Sequence, residues 1–136
     1  MRDILFRGKR LDNGAWVYGS LLQVEREDGS IVTAIFDRKD SGGDAEVHPS
    51  TVGQFTGLLD KNGKRIFEGD ICRNTKTNKI ASVHWHGSMA GFVWNQKRDG
   101  SEYLYDFGAL FRAHDKYEVI GNIHDNTEIL WGDIDE

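Results

Sequence analysis

Cysteine and proline each occur once in this 136-residue chain, as Cys72 and Pro49. A single cysteine cannot form an internal disulfide, which suits a reducing compartment and excludes a disulfide-stapled scaffold. Nowhere do eighteen apolar residues run together, and the start Met1-Arg2-Asp3-Ile4-Leu5-Phe6-Arg7 lacks the apolar run of a signal peptide. A cytoplasmic protein, not associated with membrane, is therefore expected. Also missing are a Gly-x-Ser-x-Gly elbow, a Gly-x-x-x-x-Gly-Lys-Ser/Thr phosphate loop and a Cys-x-x-Cys pair. Their absence removes the hydrolase, nucleoside-triphosphatase and zinc-ribbon signatures. An excess of positive charge is absent too: 17 Lys and Arg against 22 Asp and Glu give a formal net charge of −5, which argues against uniform positive potential, although a local basic patch remains compatible with it.

Glycine and aromatic residues are abundant. Sixteen glycines against one proline point to many tight turns, while four Trp, seven Phe and four Tyr supply a core for one domain spanning residues 1–136. The reading is mainly β. Residues 4–7 and 15–22 flank the turn Leu11-Asp12-Asn13-Gly14, and Glu27-Asp28-Gly29-Ser30 separates 21–24 from the β-branched run 30–36. This is an N-terminal β-meander. Residues 37–46, with their Gly42-Gly43 pair, read as an exposed, mobile loop, and Asp60-Lys61-Asn62-Gly63-Lys64 as a turn. Strands are expected over 66–73 and 80–85, joined by the polar segment 74–79, with Phe92-Val93-Trp94 continuing the sheet. Apolar residues at 103, 104, 107, 110 and 111 have helical spacing, so a helix is expected over 102–112 despite Gly108. A closing strand over 117–123 and a short helix or extended tail over 125–131 complete the chain. The architecture expected is a small β-barrel or SH3-like sheet assembly with one or two short helices near the C-terminus. It divides, if at all, into a meander over 1–59 and a barrel-like part over 60–136.

Three blocks carry a resemblance: Val52-Gly53-Gln54-Phe55-Thr56-Gly57-Leu58, Asp60-Lys61-Asn62-Gly63-Lys64-Arg65-Ile66-Phe67-Glu68-Gly69-Asp70-Ile71, and Glu118-Val119-Ile120-Gly121-Asn122-Ile123. With Phe6-Arg7-Gly8-Lys9 and Trp16-Val17-Tyr18-Gly19, their order and spacing resemble the YopX family over nearly the whole chain. The resemblance implies a phage or prophage accessory protein of β-rich fold, with no catalytic residue or cofactor to carry over.

The remaining candidates are weighed on chemistry. Glu68 and Asp70 can form a metal-binding or acid-base pair, but Gly-Asp-aliphatic is also a strand entry in which Asp accepts backbone N–H bonds. His84 and His86 share one strand face and are weak metal candidates, since a zinc site needs three or four ligands. His48, His114, His124, Asp106 or Asp115 can complete such a site only if the fold brings them near. Cys72 reads as a small buried hydrophobe. Arg7, Lys9 and Arg10 form one basic set. Lys76, Lys79, Lys97 and Arg98 form another, and either set can join Trp85, Phe92 and Trp94 in a nucleic-acid-binding surface if the rings are exposed. A non-enzymatic protein-binding module is the leading expectation, without cofactor or metal and with self-association along strand edges. A nucleic-acid-binding factor is second and a metal-dependent enzyme third.

Overall fold

The computed structural model describes residues 3–37, 39, 43–98, 101–106 and 114–132, and the chain divides into two compact units, Met1–Phe55 and Thr56–Glu136. The first unit contains β1 (Phe6–Lys9), β2 (Trp16–Glu25), β3 (Ile31–Phe36), β4 (Asp44–Glu46) and the start of β5 (Gly53–Leu59). Their order, β4-β3-β2-β1-β5, is that of an antiparallel meander to which the fifth strand is added. Gly14 at φ +70° closes the first hairpin, as Asn13-Gly14 predicts. Period-two alternation sends Val17 inward from β2, where it packs with Ile35, Ala45 and Val47. Gly19 is required by close approach, because a Cβ there would stand 1.9 Å from the carbonyl oxygen of Phe36.

The segment 37–46 is not wholly a loop. Asp44–Glu46 pairs with β3 and turns Ala45 into the core, which offsets the ordering of a polar stretch with apolar burial. Residues 38 and 40–42 lie outside the described residues.

The second unit holds the end of β5, β6 (Arg65–Phe67), β7 (Asp70–Asn74), β8 (Ile80–His86), β9 (Gly91–Arg98), β10 (Ser101–Asp106), β11 (Tyr117–Asn122) and α1 (Thr127–Gly132). Five strands form an antiparallel sheet in the order β10-β9-β8-β7-β11, and β6 pairs with β5. One face of that sheet builds the core: Cys72, Ala81, Val83, Trp94 and Tyr117 are buried together with Ile66, and Leu58, Phe92 and Val119 pack against them. The indole of Trp94 stacks on Tyr117 at 4.2 Å between ring centroids.

Two expectations are corrected. Glu102–Asp106 belongs to β10 rather than to a helix, because its pairing with β9 satisfies the backbone that helical spacing would have satisfied internally; residues 107–113 lie outside the described residues. The expected barrel is also replaced by open sheets. Among the described residues β10 pairs only with β9 and β11 only with β7, so the first and last strands of the five do not meet.

Candidate functional site

Two buried acidic side chains, Asp60 of the 60–64 turn and Asp70 of the Glu68/Asp70 pair, hold backbone in the structure. Asp60 is buried; its Oδ1 accepts the N–H groups of Asn62 and Lys64, each at 2.8 Å, and its Oδ2 accepts that of Val119 at 2.9 Å. The N–H of Lys61 donates to the carbonyl of Tyr117 at 2.8 Å, so the 60–64 turn is tied to the start of β11 from both directions. Asp70, also buried, accepts the N–H of Phe67 at 2.7 Å, which supports the structural reading of Glu68-Gly69-Asp70.

His84 and His86 do share the β8 face that carries Ser82. His84 Nε2 is hydrogen-bonded to Ser82 Oγ at 2.7 Å, and burial holds its pKa below the usual imidazole range, favouring the neutral ring. Across from this row stand Asn95, Val93 and Gly91 of β9. No group of three or more His, Cys, Asp or Glu side chains suited to a metal occurs among the described residues.

The composite basic and aromatic surface separates into three parts. Trp94 is fully buried in the core and has no face for a ligand, which corrects its expected place on a binding surface. Trp85, by contrast, is 51% exposed at the far end of β8, with Phe92 edge-on to its ring at 5.2 Å. Beside it the 3-10 turn Gly87–Met89 joins β8 to β9, and Met89 is 53% exposed. Lys76 and Lys79 lie in the turn before β8, whose first residue, Ile80, is about 17 Å from Trp85 along the strand at the usual rise per residue. Register places the backbone of Lys97 one residue past the Gln96–Ala81 pair, followed by Arg98, towards the same end as that turn. Their side chains lie outside the described residues. In the first unit, Arg7 is buried with its guanidinium 4.7 Å above the Trp16 ring, Lys9 approaches the same ring at 5.6 Å, and Arg10 is ion-paired with Asp12.

Sequence reasoning misses the company that Lys76 and Lys79 keep. The N–H of Thr75 donates to the carbonyl of Lys116 at 3.0 Å, and the 60–64 turn reaches Tyr117, so three segments distant in sequence meet at one end of the second unit. Lys61, Lys64, Lys76, Lys79 and Lys116 are all exposed there.

A family model described as YopX protein matches residues 5–131. The chain belongs to the YopX family. Among solved structures, this YopX-family chain is similar to that described as the crystal structure of protein EF1440 from Enterococcus faecalis, at 22% identity and a TM-score of 0.57, covering 96% of this chain and 99% of that one. That likeness supports the fold. No curated protein matches the chain. No helix among the described residues is long and apolar enough to cross a membrane.

Proposed function

We propose that this YopX-family chain is a non-enzymatic, protein-binding accessory module encoded by phage or prophage, acting in the cytoplasm of the bacterial host. The observation that carries the reading is the aromatic pair on the β8–β9 hairpin. Phe92 packs against the core and braces Trp85, which keeps half its surface in solvent beside the exposed Met89. A large apolar side chain held rigidly at the surface loses little conformational freedom when a partner covers it, which is why tryptophan is enriched among residues that dominate protein interfaces. Asp60 and Asp70 are engaged in backbone hydrogen bonds, and the Ser82 of the Ser82–His84 pair is buried, which weighs against a catalytic role for them. The test is partner recovery from phage-carrying cells by wild-type protein and by a Trp85→Ala variant of unchanged thermal stability, followed by titration with the purified partner. Loss of about 2 kcal/mol or more of binding on substitution supports the proposal. Unchanged affinity contradicts it.

A further inference from the structure

The concentration of lysines at one end of the second unit serves neither the core nor the Trp85 surface. Lys61 and Lys64 stand in the turn between β5 and β6, Lys76 and Lys79 in the turn between β7 and β8, and Lys116 immediately before β11. None of the five forms an ion pair among the described residues. The acidic residues nearest in sequence do not cancel them: Asp60 is buried in its backbone hydrogen bonds, Glu118 is paired with Arg73, and Asp115 is the one exposed carboxylate within the three segments. In a chain of net charge −5, such a collection is a local reversal of sign.

The loops that carry it are set before any ligand arrives. Asn74 Oδ1 accepts the N–H groups of Lys76 at 2.9 Å and Thr77 at 3.1 Å, its carbonyl accepts that of Asn78 at 2.8 Å, and Asn78 sits at φ +61°. Asp60 does the same for the other turn, and Thr75 and Lys61 fasten both turns to the strand start at 116–117. The ammonium groups are on flexible stems, but their attachment points are held.

We infer that this lysine-rich end is a docking surface for the phosphate backbone of a nucleic acid. Lysine is a point charge that meets phosphate oxygens without a fixed fork, and the exposed Asn62, Thr77 and Asn78 beside it are the side-chain types that accompany lysine in backbone contacts. An acidic protein surface fits less well. Among the described residues the exposed large apolar side chains lie elsewhere, Leu59 at the border excepted, so the patch lacks the apolar centre typical of a protein interface. With no exposed aromatic ring in the three segments, binding is through backbone charge and is independent of base sequence. The inference is separate from the Trp85 reading and survives or fails without it.

The experiment is fluorescence anisotropy of labelled mixed-sequence single strands and duplexes with the full chain across a salt series, beside a polyglutamate peptide of matched charge. Saturable nucleic-acid binding is expected, with log affinity falling, for each tenfold rise in salt, by about 0.7 per contacted phosphate for single strands and about 0.9 for duplex. Changing Lys61, Lys64, Lys76 and Lys79 together to Ala should reduce affinity at least about tenfold near 50 mM salt and flatten the slope, while changing them to Arg retains binding. The pair Lys76→Glu and Lys79→Glu, confined to one exposed turn, gives the same direction if the fourfold variant fails to fold. Absence of saturable binding, a slope and affinity unaffected by either charge-changing variant, or polyglutamate binding as tight as nucleic acid would each overturn the inference.

Discussion

Trp94 and Trp85 lie on the same face of neighbouring strands and have opposite fates. The first meets Tyr117 and the core; the second lies past the covered region and retains half its exposure. Replacing Trp94 by Ala removes a fully buried ring and should lower stability by about 3–5 kcal/mol, measured by urea unfolding. Trp85→Ala should change it far less. A different test attaches to His84. Because burial lowers its folded pKa, the unfolded chain binds the extra proton first as pH falls; the stabilising preference for the neutral ring is present above about pH 6.5 and is lost progressively below it, down through the folded pKa. Wild-type stability should therefore decline more than that of a His84→Gln variant between about pH 7.5 and 5.5. Equal declines would show that the ring's protonation is not coupled to folding.

Among the elements, the β-meander was readable because its turns advertise themselves: Asn13-Gly14 and Asp28-Gly29 place glycine where φ is positive, and the runs between them alternate. The stretch 102–106 was not readable. Tyr103, Leu104, Phe107, Leu110 and Phe111 fit a helical stripe as they stand, and only pairing with β9 identifies Glu102–Asp106 as strand. Among the described residues that strand pairs on one side only. Local pattern cannot reveal a backbone approach such as the one at Gly19 either. Gly19→Ala should be strongly destabilising, by about 1–3 kcal/mol or more, since the new methyl meets a β3 carbonyl rather than a flexible side chain. A thermal midpoint equal to wild type would mean that β2 and β3 separate at no cost.

For the whole molecule, the YopX-family assignment is as legible in sequence as in structure, since its motif blocks are mostly turns and core positions with evident physical roles. The candidate surfaces were legible only in pieces. Lys76 and Lys79 mark one turn in the sequence, but the approach of their turn to the segments of Lys61, Lys64 and Lys116 depends on hydrogen bonds between residues some forty to sixty positions apart, which no local spacing encodes. We also propose self-association along strand edges, since among the described residues β4, β6, β10 and β11 each pair on one side only; light scattering should then report a mass above the 15.4 kDa of one chain. A monomer at all concentrations would remove that part of the account.

The most direct measurement of the central claim is photo-cross-linking from the β8–β9 hairpin. A photoreactive amino acid in place of Met89 should yield, in phage-carrying cells, a covalent adduct with one identifiable protein, and Trp85→Ala should abolish that adduct while leaving the fold intact. An adduct unaffected by Trp85→Ala, or none across infection and lysogeny, would contradict the proposal that this hairpin docks a protein partner.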